Sequence, residues 1–247
     1  MVKLMQLFKA GLHLGHHKRQ WNPKMASFLY GERNGIHILD LLQTAVYLEN
    51  TCRFIGKILK RKKKVLLVGT KREAAELVAT TAQRCNIRAP QGVHYVNHRW
   101  LGGMLTNWST MKLCIAKLKQ LDVRERTGDF LQLPKKEAAM CTKQRSRLQK
   151  YLGGVKNMDH LPHLVMIIGQ PDELNAVYEC RKLKIKNLTL LDSDCDPDLA
   201  DFFIPSNDDS VEALDFILNT ITLAVRREIL MANDIPYNPF RNESTPV

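Results

Sequence analysis

A chain of 247 residues that is 45% hydrophobic can bury one sizeable core, which argues against global disorder and for one large domain, or one with an appendage. A formal net charge of +12, from 37 Lys and Arg against 25 Asp and Glu, points to an anionic partner such as nucleic acid or a membrane surface. No stretch reaches the roughly 20 apolar residues of a membrane span, and six scattered cysteines without a C-x-x-C argue against a zinc ribbon or disulfide framework and for reduced, intracellular thiols.

Residues 1–34 read as a basic segment with little periodicity, free of acidic residues up to Gly31. Lys18, Arg19, Trp21, Asn22 and Lys24 surround Pro23, which favours an extended or turning backbone. Cations interleaved with a ring and an amide suit a folded RNA surface, because cations neutralise phosphate while Trp and Asn meet sugars or base edges. The alternative is a solvated arm that Trp21 anchors to the body. His13, His16 and His17 lie close together without a cysteine nearby, which favours a solvated or phosphate-facing role over a metal site.

Ile36–Leu39 is a short apolar run, read as the first strand and closed by Asp40. From Thr44 to Leu59 the apolar spacing is helical, with Val46, Leu48, Phe54, Ile55, Ile58 and Leu59 on one broad face. Five consecutive cations, Lys60 to Lys64, follow where a helix C-terminus also favours positive charge. They are either a solvated turn or an RNA contact. Val65–Val68 reads as a strand covered on both faces. Gly69-Thr70-Lys71 then opens a helix through Ala74, Val78 and Ala82, but neither G-x-G-x-x-G nor a phosphate-loop pattern is present, so the turn reads as scaffold. Cys85 to Gly92 is expected to be a loop.

Val93–Val96 suits a strand. It runs into Asn97-His98-Arg99-Trp100-Leu101-Gly102-Gly103, where paired glycines permit a hard turn and close backbone approach. Arg99 offers a fork for phosphate and Trp100 a ring that could stack on a base; equally, Trp100 could simply plug core. Met104, Trp108, Met111, Ile115 and Leu118 follow a 4-3-4-3 seam. Thr127-Gly128-Asp129 breaks that helix, and a second runs from Pro134 to Tyr151 with Arg145 in an apolar slot of its seam. The pair reads as a helical hairpin standing out from the α/β body.

Leu164–Ile168 is a clear buried strand, Asp172–Leu183 a helix and Leu188–Leu191 another strand. The last opens into Asp192, Asp194, Asp196 and Asp198, an acidic loop containing Pro197. Asn207 to Ser210 carries helix-capping chemistry ahead of a final apolar helix from Val211 to about Leu230. The layout is therefore a basic segment (1–34), an α/β body (35–103 and 153–231), a helical hairpin (104–152) and a loosely ordered tail (232–247). Alternating strands and helices imply a parallel sheet covered on both faces.

The segment NHRWLGGMLTNWST (Asn97 to Thr110) resembles the signature of the ribosomal protein S2 family. GLHLGHHKRQWNPKM (Gly11 to Met25), GERNGIHILDL (Gly31 to Leu41), VLLVGTK, LPKKEA, YLGGVKNMDHLP and LLDSDCDPDLADFFIPSNDD resemble it too, in the family's order and over nearly the whole chain. Gly169, Lys186-Asn187 and Ser206 depart from the family pattern. The resemblance implies a flavodoxin-like body with an inserted coiled-coil hairpin. It also implies a structural role in the small ribosomal subunit, bound to rRNA on the solvent side near the junction of head and body. Neighbouring small-subunit proteins are the implied partners and, in bacterial-type ribosomes, ribosomal protein S1; no membrane partner is expected. The candidate RNA-binding set is His16, His17, Lys18, Arg19, Trp21, Asn22 and Lys24, with Arg33, Asn97, Arg99, Trp100, Thr106 and Asn107 from the matching motifs. TNWST, LPKKEAA and DPDLAD resemble the plastid and cyanobacterial branch, so a chloroplast ribosome is expected, with the bacterial cytoplasm or a mitochondrion as alternative. The acid-poor start resembles a transit peptide, but His16–Met25 already lies in a matching motif, so the chain is expected to start at its mature end.

Two other functions fit parts of the chain: a metal-dependent hydrolase using the acidic loop, and an RNA-binding regulator outside the ribosome. Carboxylates of the loop could hold a structural Mg²⁺, and no other cofactor is expected. Hydrolysis also needs a positioned acid or base. No His lies between His163 and the C-terminus, so the chain is not expected to be an enzyme.

Overall fold

The computed structural model describes residues 3–232, and the tail beyond them lies outside the described residues. Five short strands form a parallel sheet: β4 (Val65–Val68), β5 (Val93–Val96), β6 (Leu164–Ile167), β7 (Lys186–Leu191) and β8 (Phe202–Pro205). Their spatial order is β5-β4-β6-β7-β8, the flavodoxin-like arrangement in which the chain starts inside the sheet and reverses once. In β4 and β6 every residue is buried, because both faces are covered. Alternate side chains part company: Val65, Leu67, Leu164 and Met166 join one core, and Leu66, Val68, Val165 and Ile167 the other.

The first core lies under α2 (Leu41–Lys60), α3 (Arg72–Asn86) and α7 (Val211–Ala232). Asp40 caps α2 by accepting from the Leu42 N–H at 2.9 Å, and Asn207 receives the Asp209 and Ser210 N–H groups ahead of α7. Val46, expected on the buried face of α2, is 59% exposed; it sits one residue off the stripe set by Leu48, Cys52, Ile55 and Leu59. The helix of α3 continues through Cys85 and Asn86, where a loop was expected, because Ala82 and Cys85 extend its buried face. The second core lies under α6 (Leu174–Leu183) and the bases of α4 (Trp108–Arg126) and α5 (Lys135–Leu152).

Helices α4 and α5 form the inserted pair, turning at Gly128, whose φ of 79° is left-handed. The seam of α4 is buried as its spacing predicts, at Met111, Ile115 and Leu118. Among the described residues of α5 only Leu152 is fully buried, so its contribution is one-sided and a regular coiled coil remains an expectation. The apolar slot that falls on Arg145 is explained by polarity within the pair. Its Nε donates to buried Asp122 at 2.7 Å and to Glu125 at 2.9 Å, and Lys156 pairs with Asp122 from beyond the hairpin.

Two expectations for the sheet are corrected. Ile36–Leu39 does not belong to the parallel sheet; as β3 it is the centre of a small antiparallel sheet between β1 (Leu14–His17) and β2 (Leu29–Arg33). Asn34-Gly35, with φ of 54° and 77°, makes the tight turn joining β2 to β3. The fifth parallel strand is instead Phe202–Pro205, a run outside every element expected from the sequence. The basic segment is likewise part of the body. Leu7 of α1 (Leu4–Lys9) and Leu12 enter the first core. Met25 packs with Leu39, Leu191 and Cys195, joining the small sheet to the carboxyl end of β7.

Candidate nucleic-acid interface

The carboxyl ends of β7 and β8 carry the acidic loop, and the basic segment folds directly onto it. Gly15 in β1 lets the two backbones meet: a Cβ there would stand 3.0 Å from both the His37 carbonyl and the Ser193 hydroxyl. The His16 N–H donates to Ser193 Oγ and the Asn22 N–H to the Ser193 carbonyl, each at 2.8 Å. His16 Nδ1 then lies 3.2 Å from Asp192, with Nε2 3.2 Å from Asp209. The hydrogen bond to Asp192 outweighs burial and, with the surrounding carboxylates, raises the imidazole pKa to about 9, so it is a cation at neutral pH. Lys24 reaches Asp196 at 2.8 Å and Asp198 at 2.6 Å. Lys71 bridges Asp208 at 3.0 Å and Asp209 at 2.7 Å. Burial opposes charge on Lys71, but those two carboxylates hold its pKa above the ordinary lysine range. Burial lifts Asp208 to about 7 despite Lys71.

The loop after β5 is organised by one carboxylate. Glu179 of α6, 9% exposed, accepts from Trp100 Nε1 at 3.0 Å, from the N–H groups of Gly103, Leu105 and Thr106 at 2.8–2.9 Å, and from the Thr106 hydroxyl at 3.2 Å. Burial pushes the Glu179 pKa up, yet the donors from Thr106, Trp100, Leu105 and Gly103 together hold it below the usual carboxylate value. Of the paired glycines, only Gly103 is left-handed, with φ 82°; Gly102 has neither that conformation nor a close neighbour, so the hard turn needs only one of them. Trp100 is 7% exposed and belongs to the second core with Val68, Val96 and Met104, so most of the ring serves the core.

The candidate residues thus separate by environment. His16 and Lys24 neutralise the acidic loop. Lys18 pairs with Glu32 at 3.1 Å across exposed surface. Trp21 packs its ring against His37, 4.9 Å between centroids, and Asn22 caps the short 3-10 turn of residues 23–28 by accepting from the Lys24 N–H. Thr106 binds Glu179, and Asn107 accepts from the Thr110 hydroxyl at 2.8 Å at the start of α4. Asn97 is half-buried at the end of β5, and His17 is exposed beside Gly35. Arg19 and Arg33 at the tip of the small sheet, and Arg99 beyond β5, are exposed and make no ion pair among the described residues. They are the candidates whose charge is left for a partner.

Sequence reasoning missed Lys71, Glu179 and the pairing of His16 with Asp192, which supplies the histidine absent from the loop's own stretch of chain. Glu179 carries no local signal, since an acidic residue in a helix reads as solvated face. The carboxylates of the acidic loop are divided between cations. Asp192 faces His16 while Asp196 and Asp198 hold Lys24, and among the described residues no group of His, Cys, Asp and Glu is arranged to hold an ion.

The topology and this site define a basic, doubly wound α/β protein whose carboxyl-edge acids are matched by His16, Lys24 and Lys71 and whose Arg19, Arg33 and Arg99 are exposed without an ion pair among the described residues. The chain belongs to the ribosomal protein S2 family, whose profile matches residues 7–228. Members of this family are structural ribosomal proteins, not enzymes. The chain is 53% identical over 217 residues to the small ribosomal subunit protein uS2c of Oltmannsiellopsis viridis, covering 88% of this chain and 89% of that protein. It is 47% identical to the uS2c protein of Mesostigma viride, covering 91% of this chain and 96% of that one. It is also 47% identical to the uS2 protein of Nostoc punctiforme, covering 91% and 83%.

Proposed function

We propose that the chain is a structural constituent of the small ribosomal subunit that binds small-subunit rRNA on the solvent side, near the junction of head and body, and so supports translation. The reading rests on family membership. The observation behind the RNA contact is that Arg19, Arg33 and Arg99 stand exposed without an ion-pair partner among the described residues, while nearby His16, Lys24 and Lys71 are already matched by carboxylates. An arginine fork left open at a surface is suited to phosphate oxygens. Neighbouring small-subunit proteins are the protein partners; ribosomal protein S1 rests on the resemblance alone. The likeness to uS2c proteins, with the TNWST, LPKKEAA and DPDLAD motifs, supports a chloroplast ribosome.

The test is cosedimentation with small subunits in high salt, followed by a crosslink map. Retention of the wild-type protein, and weakened retention when Arg19, Arg33 and Arg99 are changed together to Ala, is the expected result. A protein that bound RNA but never entered the subunit would instead be a free regulator. Finding it only in mitochondria or the cytosol would end the plastid assignment.

A further inference from the structure

The opposite edge of the sheet carries charge of a different kind. At the amino ends of β4, β6 and β7, three segments far apart in sequence meet around one cleft: the end of α2 with the turn after it, the loop before β6, and the turn from α6 into β7. Lys57, Arg61, Lys63, His163, Lys184 and Lys186 line it, all exposed. No acidic residue lines it, and none of these five Lys and Arg residues makes an ion pair among the described residues. The nearby carboxylates are engaged elsewhere: Asp159 holds Lys64 at 3.1 Å, and Asp201 accepts from the Asn187 N–H at 2.9 Å. At the carboxyl edge, by contrast, His16, Lys24 and Lys71 are each matched by carboxylates.

Local structure does not account for the charge. The macrodipole of α2 favours cations at Lys57 and Lys60 in its last turn, but Lys63 and Lys186 lie outside any helix. Lys184 adopts φ 55° as the C-cap of α6, a left-handed position that favours glycine, and Lys62 adopts φ 54° in the facing turn. Lysine at such positions works against backbone preference. Lys186 is held over the rings of Phe54 and Phe202, 5.8 and 5.3 Å from their centroids, which orders its ammonium at the cleft mouth.

We propose that this amino-edge cleft is a second RNA-binding site that grips a phosphate backbone, so that the protein touches rRNA at both edges of its sheet. The site rests on the ribosomal reading for its ligand, and it adds a foothold that the carboxyl-edge arginines do not explain. A cleft with convergent, unpaired ammonium and guanidinium groups and no carboxylate binds polyanion by counterion release, without reading sequence.

The experiment measures binding of the full chain to small-subunit rRNA against salt concentration. One variant is Lys63→Gln, Lys184→Gln and Lys186→Gln together; a second is the Arg19, Arg33 and Arg99 to Ala set. The expected result is that the first variant binds about tenfold or more weakly at physiological salt, and that its slope of log K against log salt falls by about two to three, roughly one for each phosphate no longer neutralised. The carboxyl-edge set should lose its own increment separately. Lys184→Gly alone should weaken binding while raising the melting temperature, which separates RNA binding from a purely structural role. If the amino-edge variant kept wild-type affinity and slope while the carboxyl-edge set lost both, the second site would be overturned and the ribosomal reading would stand. If wild-type protein failed to bind the rRNA, both would fall. If the variant lost binding only to vesicles of anionic phospholipid and not to RNA, the cleft would be a membrane-surface site and the inference wrong.

Discussion

At the scale of single residues, His16 is the most informative titrating group. Its folded pKa of about 9 lies above the ordinary value of 6.5, so its contribution is fully present below pH 6.5 and is lost as pH rises through 9. The His16→Asn variant should be less stable than wild type by on the order of 2 kcal/mol at pH 6, after discounting for solvent screening. The two should converge above pH 9, as urea melts across that range would record; a constant gap would mean the imidazole is neutral. Trp100 and Arg99, adjacent in sequence, should behave oppositely. Trp100→Ala should lose about 3–5 kcal/mol, whereas Arg99→Ala should melt normally and bind RNA less well. Glu179→Gln should cost about 2–3 kcal/mol, because an amide NH₂ faces donors that need an acceptor. The Glu179 contribution has the opposite pH dependence to that of His16: its depressed pKa makes it present above the ordinary value of 4.5 and lost as pH falls through the folded value.

At the scale of elements, the α4–α5 pair carries buried charge beside the apolar seam of α4. Asp122, 7% exposed, receives both Arg145 and Lys156, and they outweigh its burial to hold its pKa down. Asp122→Asn should destabilise the protein by about 2–4 kcal/mol, with hydrogen exchange accelerated first in α4 and α5. Equal acceleration throughout the sheet would show that the pair is not a separately yielding unit. The small antiparallel sheet is the other element with a task of its own, since it carries Arg19 and Arg33 outward while Met25 and Leu39 tie it to β7.

At the scale of the whole molecule, the basic segment cannot be removed as an appendage. Deleting residues 3–34 would strip Leu7 and Leu12 from the first core and leave Asp192, Asp196 and Asp198 without His16 and Lys24. The truncated protein should lose its cooperative melt; a truncation that melted like wild type would make the segment a true arm. Among the described residues no helix is long and apolar enough to cross a membrane. The family's structural role also predicts that purified protein with Mg²⁺ or Mn²⁺ turns over neither nucleoside triphosphates, phosphomonoesters nor RNA. Turnover abolished by Asp192→Asn would revive the hydrolase.

Sequence by itself determined the elements whose signal is periodic: the buried strands 65–68 and 164–167, the helices between them, and the break at Gly128 between α4 and α5. It also carried the ordered motifs of the family. Tertiary structure alone decided which strands pair. Ile36–Leu39 and Phe202–Pro205 are equally short apolar runs, and only packing sends one to the small sheet and the other to the edge of the large one. The Asn34-Gly35 turn was a legible signal for the former. Packing alone also decided which of the charges find a partner within the chain. Lys24 and Arg19 look alike in sequence, but an acidic loop some 170 residues away takes the first and leaves the second, because ion pairing depends on distance in space and not along the chain.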